Sequence, residues 1–208
     1  MTVIKNYRGE TLFECDGDLK DTIEEAVRAK VSLVRTSWRE ADLQGVTLRN
    51  AFMPEADFSG ANLRNAILKG DFTGSHFVGA ILHNADLRGS CLVYANFNDS
   101  DLSGADLSGA GLTYATLVNA NLEGVNLTNT RMQGVLISPY SLENPVLIRL
   151  PNLISIDGQE MTVDAWDKVL MERSYDPLTL ANYEACKAFL RASAPLEPSK
   201  AVSRFERI

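Results

Sequence analysis

The sequence predicts an all-β solenoid built from stacked square coils, and three observations lead to this fold class. A large apolar residue recurs about every five residues between residues 31 and 138. A small or compact residue stands two positions before each of these central apolar residues. Aromatic central residues recur about every twenty residues, at Trp38, Phe58, Phe77 and Phe97. A repeat of this kind determines the architecture before any local propensity does.

A period of five matches neither the two-residue period of a strand nor the 3.6-residue period of a helix. It matches a coil in which each pentapeptide forms one short side and then turns a corner. The central and small residues point inward, while the other three face water. Four sides make a coil of about twenty residues, and successive coils stack at roughly 4.8 Å. The four aromatic residues then form one interior column, which we call the aromatic ladder.

One step of the repeat is a residue short, because Phe58 and Phe77 are nineteen residues apart rather than twenty. We place the short step between Leu68 and Phe72. This choice keeps Ala66 and Gly70 in the small inward position.

The tandem motifs resemble those of the pentapeptide-repeat family, as in Ala-Asp-Leu-Gln-Gly at 41–45 and Ala-Asp-Leu-Ser-Gly at 105–109. This resemblance covers residues 31–138 and implies a right-handed quadrilateral β-helix. It says little about function, since one fold hosts many roles. A short strand and an acidic-start helix ahead of the repeats resemble phage and prophage members of the family.

Residues 1–30 are predicted to form an N-terminal cap, because the open edge of a coil needs covering. One or two strands are expected within 3–14, around a turn at Arg8-Gly9-Glu10. A helix should follow, starting at Gly17 or Asp18 and ending near Ala29, with Ile23, Ala26 and Val27 on its apolar face.

Residues 139–194 are predicted to form a small, mainly helical C-terminal module, followed by a mobile tail at 195–208. A strand at 154–156 should enter an Asp-Gly turn. Thr162 is a suitable N-cap for one helix, and a second helix is expected over about 178–192. This module either caps the last coil or binds a partner.

The composition of the chain argues against several classes of function. The net charge of −7 disfavours direct binding to nucleic acid. Three cysteines without Cys-x-x-Cys spacing argue against a zinc site or a disulfide framework. Because there is neither an apolar run long enough to span a membrane nor a signal-peptide core, no membrane association is expected and the cytoplasm is the expected location.

The chain offers little for catalysis, and we expect neither an enzyme nor a cofactor. His76 and His83 are the two histidines, and no neighbouring Ser, Cys or carboxylate forms a recognisable nucleophile and base set with them. No glycine-rich phosphate loop follows a strand and opens a helix. We therefore expect no catalytic, cofactor-binding or metal site.

Three outward-facing groups of residues are the candidate interaction surfaces. The acidic strip comprises Asp86, Asp99, Asp101, Asp106 and Glu123. The basic column comprises Arg49, Lys69 and Arg88. The apolar docking face comprises Phe52, Val93, Tyr94 and Tyr114, and exposed apolar patches of that kind usually pack against another molecule.

Two functions compete on this basis. The first is a rigid protein–protein interaction scaffold. The second, implied by the resemblance, is an acidic DNA mimic that binds a DNA-handling enzyme such as gyrase, another topoisomerase or a defence nuclease complex. Mimicry predicts binding that salt weakens steeply, whereas apolar docking tolerates salt. The resemblance also makes a second copy of the chain a candidate partner, because homodimers are common in the family.

Overall fold

A computed structural model describes residues 1–136, 147–150, 153–156, 159–162 and Lys187. It contains a β-hairpin and a helix, then a stack of coils, then a small antiparallel sheet. No helix among these described residues is long and apolar enough to cross a membrane.

The N-terminal cap is a hairpin followed by one helix. Strand β1 (Thr2–Lys5) pairs antiparallel with β2 (Thr11–Cys15). Helix α1 (Leu19–Arg28) begins at N-cap Asp18, whose Oδ1 accepts a hydrogen bond of 2.8 Å from the Asp21 N–H. Its buried side chains include Ile23, Ala26 and Val27, which join the core of the coils, as the apolar pattern predicted.

The coils stack with the predicted spacing of twenty residues. Parallel bridges join Asp42 to Asn62 and Asp101 to Asn121, and across the short step Asp57 pairs with His76. At most corners the small residue donates its N–H to the preceding central carbonyl, as from Ala61 to Phe58 at 3.0 Å. Except at Gly70 in the short step, the residue two positions after each central residue of the described coils has a positive φ of 55–70°. This left-handed residue turns the chain into the next side of the coil.

The interior contains the central and small residues, nearly all of them buried. In the aromatic ladder, ring centroids are 6.4 Å apart for Trp38–Phe58, 5.1 Å for Phe58–Phe77 and 4.8 Å for Phe77–Phe97. Where the small residue is polar, its hydroxyl is satisfied internally. Ser90 Oγ, for example, donates to a buried backbone carbonyl at 2.6 Å.

The short step lies where the sequence predicted it. Strands β3 (Thr47–Phe52) and β4 (Ile67–Asp71) pair in parallel, and their register shifts so that Asn50 has no partner in β4. Gly70 packs so closely against the Ala51 backbone that a Cβ there would overlap the Ala51 carbonyl oxygen. The missing residue therefore leaves a bulge at Asn50 and a position that only glycine fits.

After the last coil the chain forms a four-stranded antiparallel sheet. Strand β5 (Val135–Leu136) pairs with β6 (Leu147–Leu150), which continues to β7 (Leu153–Ile156) and β8 (Gln159–Thr162). Strand β7 matches the strand predicted at 154–156. The predicted Asp-Gly turn, the first C-terminal helix and the tail lie outside the described residues, and of the second predicted helix the structure describes Lys187, which is helical.

Candidate interaction surfaces

Asp86, the first residue of the acidic strip, is neutralised by members of the basic column. Its carboxylate lies 2.8 Å from Arg88 Nη2 and 2.8 Å from Lys69 Nζ. The hydrogen bonds from Arg88 and then from Lys69 hold the pKa of this carboxyl well below its usual range. Asp86 is therefore an internal partner of the basic column rather than a free negative charge.

Asp86 and Asp106 of the acidic strip consequently share a face with the basic column. Arg49 pairs in register with Lys69, and Arg88 is also 3.9 Å from Asp106. The sequence predicted the two groups as separate surfaces. Stacking instead places Asp86 and Asp106 beside the basic column, because residues about twenty apart become neighbours.

The remaining carboxylates of the acidic strip lie in the later coils. Asp101 Oδ1 accepts from Ser103 Oγ at 2.6 Å and from Asn121 Nδ2 at 3.1 Å, and the Ser103 bond is the main reason that its pKa is lowered. Asp106 accepts in the same way from Asn126. Asp99 occupies an exposed corner, and Glu123 is also exposed. These four carboxylates are spread over several faces.

The charge of the coils is low for an imitation of DNA. Residues 31–136 contain seven Lys and Arg side chains and ten Asp and Glu side chains, a net charge of −3. About five coils at roughly 4.8 Å span about 25 Å. Duplex DNA of that length carries roughly 15 negative charges. The net charge of the coils is therefore far below that of a DNA duplex of the same length.

The residues of the predicted apolar docking face lie in two separate places on the stack of coils. Phe52 pairs with Asp71, which in turn bridges to Cys91 beside Val93. Phe52 is therefore two coils away from Val93, with the Asp71 side chain on the coil between them. Phe52 belongs to the N-terminal end of the stack, whereas Val93 and the two tyrosines belong to the later coils.

Tyr94 and Tyr114 form an exposed aromatic pair, which we call the tyrosine pair. Their ring centroids are 5.2 Å apart with an interplanar angle of 13°, and the residues are 61% and 46% exposed. Both occupy left-handed corner positions, with φ of 60° and 59°. In the next coil the same corner is Gly134, where a Cβ would overlap the Tyr114 ring. The backbone of that coil thus supports the pair.

His83 has a serine neighbour that the sequence interpretation missed. His83 Nδ1 lies 2.8 Å from Ser103 Oγ, and that hydroxyl donates to Asp101 at 2.6 Å. The three residues are not in the order of a catalytic triad, because the serine proton points to the carboxylate rather than to the imidazole. His76 lies in an open groove with Arg39 and Asp57, which form an ion pair of 2.9 Å.

Comparison with known proteins agrees with this architecture. A family model for pentapeptide repeats (8 copies) matches residues 32–70, 71–104 and 105–136. A comparison with curated proteins finds no match. Several pentapeptide-repeat proteins of known structure are similar to parts of the chain.

A Nostoc pentapeptide-repeat protein is 32% identical, with 51% of this chain and 73% of that chain covered and a TM-score of 0.35. A pentapeptide-repeat protein of the Arabidopsis thaliana thylakoid lumen is 29% identical, with coverages of 47% and 69% and a TM-score of 0.26. QnrB1, a plasmid-mediated fluoroquinolone resistance protein, is 21% identical, and the match spans 48% of this chain and 58% of that one at a TM-score of 0.34.

The residues that the family model matches are those that form the stacked coils. Since the family model matches half of the residues and the coils show the corresponding period, the chain belongs to the pentapeptide-repeat family.

Proposed function

We propose that this protein is a non-enzymatic, rigid scaffold that docks a protein partner through the tyrosine pair. The observation that carries the proposal is the exposure of two mutually stacked aromatic rings, 61% and 46% accessible, on a backbone fixed by stacking. Tyrosine is enriched at protein interfaces and at their energetic hot spots. Because the rings are already ordered against each other, binding would cost little additional side-chain entropy.

Electrostatics support the scaffold over DNA mimicry. The coils carry a net charge of only −3, and Asp86 is neutralised by Lys69 and Arg88. A mimic needs a dense array of unpaired carboxylates facing the basic groove of its target. The tyrosine pair needs no such array.

DNA mimicry is the second candidate, and one observation favours it. No Lys or Arg occurs between Arg88 and Arg131, an interval that contains Asp99, Asp101, Asp106 and Glu123. The target of such a mimic would be a gyrase or topoisomerase or a defence nuclease complex. Its binding would depend on these carboxylates and would weaken steeply with salt.

Immobilised protein incubated with bacterial lysate and eluted in steps of increasing salt tests the two candidates. The scaffold predicts a partner that resists high salt and is lost when Tyr94→Asn and Tyr114→Asn are combined. Asn is the suitable replacement because it tolerates a left-handed φ, as Asn119 and Asn129 do at equivalent corners.

The matched control combines Asp101→Asn with Asp106→Asn, which preserves hydrogen-bonding capacity and removes two charges. A partner that elutes early, competes with duplex DNA and is lost only in this control would contradict the scaffold and establish mimicry. A second copy of the chain is also a candidate partner. Sedimentation of the purified protein would detect that homodimer.

A further inference from the structure

A cavity of about 430 Å³ lies at the N-terminal end of the stack, away from the tyrosine pair. Its volume is within the range of sites that hold small ligands or short peptide segments. Its wall includes the corner residue Asn50, and its other lining residues are Val27, Arg28, Lys30, Val31, Arg49 and Phe52. We call this cavity the basic groove.

The basic groove forms where two irregular features of the chain meet. Helix α1 ends with the Lys30 N–H bonded to the Val27 carbonyl at 3.0 Å and the Val31 N–H bonded to the Ala26 carbonyl at 2.9 Å, a Schellman motif. Lys30 takes the left-handed position of that motif, with φ 58°. On the opposite side of the groove, Asn50 bulges because β4 offers it no partner.

The charges in the groove are all positive. Arg28, Lys30 and Arg49 line it, and none of its lining residues is acidic. Arg28 is 3.8 Å from Glu25, an ion pair on an exposed surface. Within the described part of the chain, neither Lys30 nor Arg49 makes an ion pair. Two cations are therefore available to a ligand.

The groove also offers apolar surface beside these cations. Phe52 is 50% exposed, although it is a large aromatic residue, and Val31 is half-buried. Burying an aromatic side chain of this kind removes apolar surface from water and so favours binding. A matching ligand therefore combines negative charge with an apolar side chain.

We propose that the basic groove binds an acidic peptide segment of a partner protein. Its carboxylates would pair with Lys30 and Arg49, and an aliphatic side chain between them would cover Phe52. A short peptide fits better than a nucleic acid, because a long polyanion would meet the net charge of −7 on the whole chain. This site extends beyond the scaffold proposed above and does not depend on the tyrosine pair.

Fluorescence anisotropy with the full chain tests the proposal, using a fluorescein-labelled peptide of sequence Glu-Leu-Glu-Leu-Glu as the probe. Arg49→Glu should weaken binding at least tenfold, because it reverses a charge in the groove. The variant should still fold, since Arg49 is exposed and its register neighbour Lys69 can pair with the new carboxylate. Phe52→Ser should weaken binding of this probe but not of a matched Glu-Ala-Glu-Ala-Glu peptide.

Arg64→Glu is the matched control, because Arg64 carries the same charge on a different face and contacts Asn62. It should change the affinity less than twofold. Equal losses in Arg49→Glu and Arg64→Glu, or equal binding of a peptide with Lys in place of Glu, would overturn the proposal. So would tighter binding of a duplex oligonucleotide that Arg49→Glu abolishes. Tyr94→Asn should leave peptide binding unchanged, which separates this test from that of the scaffold.

Discussion

Two sets of stacked aromatic rings follow the same coils: the aromatic ladder inside the stack, which is the inner ladder, and the tyrosine pair outside it, which is the outer ladder. The inner ladder from Trp38 to Phe97 is at most 4% exposed, with its closest rings 4.8 Å apart. The outer tyrosine pair has a similar spacing of 5.2 Å but is about half exposed. The same twenty-residue period produces both spacings, so position within the pentapeptide alone decides whether an aromatic ring stabilises the fold or is available for binding.

The inner ring occupies the central position of its pentapeptide and the outer ring occupies the left-handed corner. Burial of a central ring removes apolar surface from water on every side. A corner ring covers only the adjacent corner, so most of its remaining surface stays in contact with solvent. Substitutions in the two ladders should therefore affect different properties of the protein.

The largest effect is expected from Phe77→Ala, which removes a fully buried ring between Phe58 and Phe97. The free energy of unfolding should fall by about 3–5 kcal/mol, measured by urea denaturation. Phe77→Leu is the control and should cost less than about 1.5 kcal/mol, because the same column already contains Leu117. Equal losses for the two variants would show that packing of the aromatic ring does not determine stability there.

Gly70→Ala should have the next largest effect, because its Cβ would overlap the Ala51 backbone at the short step. Overpacking of this kind costs about 1–3 kcal/mol. Gly111→Ala is the matched control, since the nearest atom to a Cβ there is the Ser90 carbonyl oxygen at 4.0 Å. Thermal unfolding of the pair should show a lower Tm only for Gly70→Ala. A neutral Gly70→Ala would mean that the coils adjust at the bulge.

Asp86→Asn should have a smaller, pH-dependent effect of at most about 1 kcal/mol at neutral pH. The pKa of Asp86 is lowered in the folded chain by Arg88 and Lys69, whereas an unfolded Asp titrates near 3.9. Its stabilisation is therefore present above about pH 4 and is lost as the pH falls further. Urea unfolding at pH 7 and pH 3 should show a smaller pH dependence in Asp86→Asn, and Lys69→Gln should reduce it in the same direction. An unchanged pH dependence would contradict the pairing.

Tyr94→Asn should have the smallest effect on stability, within about 0.5 kcal/mol, because the ring is 61% exposed and Asn accepts a left-handed φ. Circular dichroism melting would measure it beside Phe77→Ala. A loss comparable with that of Phe77→Ala would remove the distinction between the two ladders and would make the tyrosine pair a structural element.

Local sequence was sufficient to predict the cap and the coils. The hairpin and the helix that begins at Asp18 follow from patterns within a few neighbouring residues, whereas the twenty-residue coil and the short step before Phe72 follow from the spacing of the repeats along the chain. The candidate surfaces were harder to predict, because residues on the same face of the stack need not be in contact. Phe52 and Val93 share a face, but they are two coils apart. The basic groove was not predicted, because it forms only where the Schellman end of α1 meets the bulge at Asn50, two features that are distant in the sequence.

The sequence by itself determined which residues face the interior, because a period of five leaves only the central and small positions to be buried in every coil. Tertiary structure decided which outward residues meet. It joined Asp86 to Lys69 and Arg88 to Asp106, and it placed His83 beside Ser103. The physical reason is that burial follows from a repeating local pattern, whereas ion pairs and hydrogen bonds depend on the contacts of individual side chains across stacked coils.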